Sequence, residues 1–233
     1  AFSAVKDGTY YARLWRKEGS IWGAAEVAKF GRERLYDPLL PVYTAWDLGY
    51  NDTNVVLFFQ TVGRELRVVD EYHNSGEGLE HYAQVLWARK RVLGYSYAGH
   101  ILPHDAGVTD MTSAVTRKRR LWELGLRHIK VLRRTKDVNA DIEQVRRSIP
   151  SMWIDPMTCG YVVRMMARYS KKWDEVLEAF KEKPLHNEWS NPADAVRYMV
   201  LGRKHDVSSS ADRSRGESSS DGLLSNVVDG MAL

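Results

Sequence analysis

Cysteine is almost missing from this chain: of its 233 residues, only Cys159 carries a thiol. An intrachain disulfide and a cysteine-rich zinc cluster are thereby excluded, and a thiol nucleophile has no evident partner. A reducing, intracellular setting suits such a composition. No apolar run reaches the roughly 20 residues of a membrane-spanning helix, and no signal peptide is visible. The phosphate-cradling pattern GxxxxGK[ST] does not occur, so the chain is not by itself a P-loop ATPase. Internal repeats are also lacking. What is present suits one sizeable folded core with an appendage: 44% hydrophobic residues, 27% charged, and a formal charge of +4. That charge is mild, yet it leaves room for a local basic face. The chain begins at Ala1 rather than Met, which suggests a fragment or a processed product.

Residues 1–40 mix aromatics, charges and glycines and close on Asp37-Pro38 and Leu40-Pro41. They are expected to form a short helix around Tyr10–Lys17 followed by a connector. Three strand-like runs follow at 42–47, 54–61 and 65–73, the last two joined by the short turn Val62-Gly63-Arg64 of an antiparallel hairpin. The apolar period then becomes helical over 79–93, where Leu79, Tyr82, Ala83 and Leu86 share a face and Gly94 stops the run. A fourth strand is expected at 99–106, a helix at 116–125, a fifth strand at 128–132 and a helix at 138–149 ended by Pro150. A short extended piece and a further helix come next. Asn191 as N-cap, Pro192 in the first turn and Asp194 mark the start of a last helix, expected over 191–202. The order predicts an α/β fold: a mixed sheet of three antiparallel strands followed by parallel strands, flanked by helices. The folded domain is expected over 41–204. From 205 the Ser-rich, charged composition predicts disorder, with a closing apolar end, Leu223 to Leu233.

The stretch PVYTAWDLGYNDTNVVLFFQ, residues 41–60, poses the functional question. A β-prone run delivers Asp47 and then breaks, although aspartate is disfavoured in strands and costly to bury unless paired or bound to a metal. Asp105 likewise ends the fourth strand, and Asp194 lies in the first turn of the last helix. Each has an ordinary alternative: Asp47 could open a turn, Asp105 could cap a loop, and Asp194 could only offset the helix dipole. Together, at element ends that adjacent strands would bring close, they make an all-oxygen donor set suited to Mg²⁺ or Mn²⁺ rather than Zn²⁺. Two such ions about 3.5–4 Å apart can activate water and steady the leaving oxygen in phosphodiester cleavage. Asp52, Asp70, Glu71, His104 and His186 are candidates for a supporting shell, although a lone histidine is more often structural. Basic runs are Arg117-Lys118-Arg119-Arg120, Arg133-Arg134 with Lys136, Arg146-Arg147 and Lys171-Lys172. A charge run is usually a solvated face. Beside a carboxylate cluster it is also what holding DNA would require, the first two runs being the leading candidates.

Several of these motifs, taken in order, resemble one family. Trp46-Asp47-Leu48-Gly49 with Asp52-Thr53, then Leu102-Pro103-His104-Asp105-Ala106, then His186 to Tyr198 through Asn191-Pro192-Ala193-Asp194-Ala195-Val196-Arg197-Tyr198 are similar to the nuclease domain of tailed-bacteriophage terminase large subunits. The resemblance runs from about Val5 to Gly202. It implies a ribonuclease H-like fold and a Mg²⁺- or Mn²⁺-dependent DNA endonuclease, with Asp47, Asp105 and Asp194 as catalytic metal ligands. Such an enzyme would cut concatemeric double-stranded DNA at the start and end of packaging, in the host cell cytoplasm. It implies as partners the portal protein, the small terminase subunit and an N-terminal ATPase motor, whose tail and linker residues 1–40 would be. Asn191 departs from the family's usual histidine, and it can still cap the helix. The apolar C-terminal end would help dock the motor on the portal. Two other functions remain open: a resolvase- or transposase-type nuclease of the same fold, and a DNA-gripping or portal-docking module without activity.

Overall fold

The computed structural model describes residues 8–216 except 13, 16–19, 22, 24–26, 28–30, 32, 50–52 and 110–114, with side chains as far as Arg203. Its main sheet has seven strands: β1 (Ser20–Ile21), β2 (Val42–Asp47), β3 (Asn54–Val62), β4 (Glu65–Asn74), β5 (Tyr97–Leu102), β6 (Ile129–Val131) and β7 (Met152–Ile154). They lie in the order β1-β7-β4-β3-β2-β5-β6. β2, β3 and β4 are antiparallel neighbours, whereas β5 runs parallel to β2 and β6 parallel to β5. On the other flank β7 runs parallel to β4, and β1 parallel to β7. Gly63, with φ of 56°, makes the tight β3–β4 turn that a side chain would strain.

Side-chain alternation divides the core between the two faces of this sheet. Val42, Trp46, Val56, Phe58 and Val69 are buried on one face, with Tyr82 and Leu86 of helix α1 (Leu79–Leu93) and Leu121 of α2 (Arg117–Glu123). Ala45, Val55, Leu57 and Val68 are buried on the other. They pack with Ile142 and Val145 of α3 (Val138–Ser148), Val162 and Met165 of α4 (Gly160–Arg168), and Val196 and Met199 of α5 (Ser190–Gly216). A layer of helices therefore covers each side of the sheet. A separate hairpin, β8 (Lys171–Asp174) with β9 (Ala179–Pro184), was not expected from the sequence. Its charged residues alternate poorly, and its apolar contact is made locally, Trp173 against Phe180 at 4.8 Å.

Three boundaries differ from expectation. Residues 1–40 are more than a connector, because Tyr10, Tyr11, Trp15 and Leu35 are buried in the core and β1 extends the sheet. Of the helix expected at Tyr10–Lys17, residues 12, 14 and 15 are helical and the Trp15 amide donates to the Tyr11 carbonyl at 2.7 Å, whereas 13, 16 and 17 lie outside the described residues. The fourth strand ends at Leu102, and Pro103 turns the chain into a 3-10 turn, His104–Gly107, that carries Asp105. At the far end α5 runs to Gly216 and so enters the segment expected to be disordered. Extending an existing helix by one residue costs far less than nucleating one. Residues 1–202 form one compact unit and Arg203–Leu233 a second. The apolar end at 223–233 lies outside the described residues.

Candidate active site

Register and alternation place Asp47. It is the last residue of β2, opposite Val55 of β3, and Val55 is in turn opposite His73 of β4. Tyr43 and Ala45 pack into the core that contains α3, α4 and α5, so Asp47 shares that face. In the parallel neighbour, Ala45 is level with Ile101, which brings the 3-10 turn and Asp105 to the same end of the sheet. The two strands are cross-linked just inside that end. Trp46 Nε1 donates to Thr44 Oγ1 at 2.6 Å, and Thr44 Oγ1 lies 2.7 Å from His100 Nδ1. All three residues are buried.

Asp105 is held from α2. One guanidinium nitrogen of Arg117, Nη1, donates to Asp105 Oδ2 at 2.9 Å and to the carbonyl of Leu48 at 3.0 Å. Thr116 caps this helix by accepting from the Arg119 amide, and an isolated bridge from Thr116 to Thr109 closes the base of the intervening loop.

Asp194 comes from the start of α5. The Asn191 side chain donates to the Thr53 carbonyl at 2.9 Å, so it ties the helix start to the residue before β3 rather than serving as N-cap. Asp194 Oδ1 pairs with Arg197 Nη2 at 3.1 Å, and Arg197 Nη2 is 3.4 Å from the Tyr198 hydroxyl. Burial raises the Asp194 carboxyl above the ordinary aspartate range, Arg197 and His186 oppose that rise, and the like charge of Asp141 on α3 adds to it. The Tyr198 phenol is pushed up by burial and then by Asp194, against the effect of Arg197, with Asp47 adding to the rise.

The remaining candidates separate. Asp52 lies outside the described residues. Asp70, level with Phe58 on β4, is engaged by Arg89 of α1 and faces the Tyr95 hydroxyl at 3.5 Å. Glu71, level with Leu57, accepts the Tyr161 and Val162 amides at 2.7 and 2.9 Å and so caps the N-terminus of α4. Their carboxylates are engaged by a guanidinium and by a helix start. His104 is exposed on the 3-10 turn, and His186 acts electrostatically on Asp194. Two further groups carry no signal in the sequence. His73 shares the level of Asp47 and packs on Tyr161 at 4.5 Å, and burial, followed by Arg164, holds its imidazole below the usual range. Asp141 is 7% exposed, and its Oδ2 is buried with no hydrogen-bond partner among the described residues.

The first basic run is less available to a polyanion than its sequence suggests. Arg117 is committed to Asp105, Arg119 to Glu123, and Arg120 to Glu80 of α1. Arg133 and Arg134 are different. They follow β6, parallel to β5, at the same sheet end as Asp105, and both are exposed without an ion pair among the described residues.

Asp47, Asp105, Asp194 and Asp141, whose buried Oδ2 has no hydrogen-bond partner among the described residues, supply oxygen ligands of the kind a hard divalent cation takes. Among the described residues no three Asp, Glu, His or Cys side chains are gathered closely enough to hold a metal ion. Two of the three aspartates are instead each neutralised by an arginine.

No family model and no curated protein matches the chain. Among solved structures it is similar to the large terminase of a thermophilic bacteriophage, at 19% identity and a TM-score of 0.59, over 83% of this chain and 45% of that one. It is also similar to the nuclease domain of the g2p large terminase of bacteriophage SPP1, solved with bound Mn, at 18% identity and a TM-score of 0.52, over 78% of this chain and 92% of that one. The P22 large terminase nuclease domain matches at 16% identity and a TM-score of 0.52, over 72% and 84%. The chain thus spans less than half the length of the thermophilic phage protein. At these identities the likeness defines a fold, and the fold is the ribonuclease H-like α/β sheet of large-terminase nuclease domains.

Proposed function

We propose that this chain is the nuclease part of a viral genome-packaging terminase, an endonuclease that hydrolyses double-stranded DNA with Mg²⁺ or Mn²⁺. The observation that carries the proposal is the placement of Asp47 at the end of β2 and of Asp105 in the turn that follows its parallel neighbour β5, the two segments being joined by Arg117. Asp47, Asp105 and Asp194 would hold the cations, which supply an activated water and charge stabilisation at the scissile phosphate. Arg133 and Arg134, exposed at the same rim, would meet the DNA backbone through contacts that are sequence-independent and salt-sensitive. In a full-length terminase the domain would work beside an ATPase motor, with the portal and the small subunit as partners.

A specific observation favours a second reading. The arginine pairing of Asp105 and Asp194 also suits a DNA-gripping module without activity. Incubating supercoiled plasmid with the protein and Mn²⁺ or Mg²⁺ separates the two. Cleavage that disappears in Asp47→Asn, with an unchanged unfolding curve, supports the nuclease. DNA binding without cleavage in either metal supports the gripping module, and full cleavage by Asp47→Asn removes Asp47 from the chemistry.

A further inference from the structure

Arg117 opens a basic run in the sequence, yet its side chain faces inward. Its Nη1 carries two hydrogens, and each has its own acceptor: Asp105 Oδ2 at 2.9 Å and the Leu48 carbonyl at 3.0 Å. Leu48 directly follows Asp47, so a single nitrogen spans the two segments that carry the strand-end carboxylates. The other arginines of α2 pair with glutamates, Glu123 and Glu80, and Arg119 also lies over the Trp122 ring at 4.7 Å. The pair is partly exposed, 26% for the Arg117 side chain and 43% for Asp105, so its contribution to stability is small. Its effect is geometric. Asp105 is anchored through Oδ2, and Oδ1 makes no hydrogen bond among the described residues. That is the arrangement in which an outer partner orients a metal-binding carboxylate and leaves one oxygen for the ion.

We propose that Arg117 is a positioning residue, which fixes Asp105 against the strand end bearing Asp47 and sets the spacing of the two carboxylates before a cation binds. This rests on the metal-dependent reading above. Because one nitrogen makes both bonds, the fork of the guanidinium is not needed. A lysine, with three N–H groups, can reproduce both contacts, whereas methionine can reproduce neither.

The test is Mn²⁺ titration calorimetry on the whole chain, for wild type, Arg117→Met, Arg117→Lys and Asp105→Asn, together with DNA affinity across a salt series. Arg117→Met is expected to weaken Mn²⁺ binding about 10- to 100-fold, the usual effect of losing an outer-shell partner. DNA affinity and its salt slope should stay at the wild-type values, and Arg117→Lys should recover most of the Mn²⁺ affinity. Should Arg117→Met fail to fold, Arg117→Gln, whose shorter amide cannot reach both acceptors, carries the same expectation. Unchanged Mn²⁺ affinity in these variants, while Asp105→Asn loses it, overturns the proposal and leaves the metal site standing. Tighter Mn²⁺ binding in Arg117→Met overturns it too, since the guanidinium would then compete with the ion. A salt slope reduced by about one would make Arg117 a phosphate contact instead. Wild-type protein that binds no Mn²⁺ overturns both this proposal and the metal-dependent function.

Discussion

Acid should loosen this fold through one buried histidine, His100, and the size of the effect follows from its surroundings. His100 is 2% exposed on β5, level with Thr44 of β2. Trp46 can only donate its indole N–H, which Thr44 Oγ1 accepts, and the same hydroxyl shares a hydrogen bond with His100 Nδ1 whose direction follows the imidazole tautomer. Protonation would place a charge among buried apolar residues. Burial, followed by the nearby His128, pushes the His100 pKa down from 6.5 to about 4. Between those values the unfolded chain binds a proton that the folded chain refuses. The stabilisation is thus complete above pH 6.5 and is lost as pH falls towards 4. At about 1.4 kcal/mol per pH unit, the full effect is about 3 kcal/mol. Urea unfolding of wild type and His100→Gln from about pH 7.5 to 4 measures it. The glutamine keeps a hydrogen-bonding group for Thr44 and has no charge to gain, so its stability should fall less than that of wild type by about that amount. His73 titrates in the same direction but is common to both proteins. Parallel stability curves, or an imidazole NMR titration of His100 centred near the ordinary value of 6.5, would refute the reasoning.

Two packing predictions complement the cleavage and Mn²⁺ experiments above. A Cβ on Gly202 of α5 would lie 2.4 Å from Ile101 Cδ1 and 2.8 Å from Cγ2, so Gly202→Ala should destabilise by about 1–3 kcal/mol despite alanine's better helix propensity. Ile101→Val, which removes the nearest atom, should recover part of that loss in the double variant, read by chemical denaturation. Glu71→Ala removes the carboxylate that receives two amides at the start of α4 and should cost about 0.5–2 kcal/mol. Burial raises the Glu71 carboxyl, with the Tyr161 and Val162 amides opposing. Stability from this group therefore declines as pH rises through its raised value, and the Ala variant should lack that slope.

Much of the sheet was legible because its signals are local. The runs ending at Asp47, Val62 and Asn74 and the helix at Leu79–Leu93 follow from apolar period, turn residues and a terminating glycine, all properties of neighbouring residues in the chain. The aspartates at 47, 105 and 194 stood out because they interrupt or open such elements. The uses of the other charges were not legible. Arg120 finds Glu80 forty residues away, Glu71 caps a helix ninety residues further on, and Arg117 turns from a surface run into the space between two strand ends. The β8–β9 hairpin and the burial of Tyr10 and Tyr11 depend likewise on partners remote in the chain. Propensity and periodicity act over a few residues, so the chain's own order already dictated most strands and helices and the carboxylates at or near their ends. Which charges are neutralised, which helix lies over Asp47 and which arginines stay exposed at the rim were settled by the folded arrangement. Ion pairs and packing act through space, at a range where position in the chain carries no information.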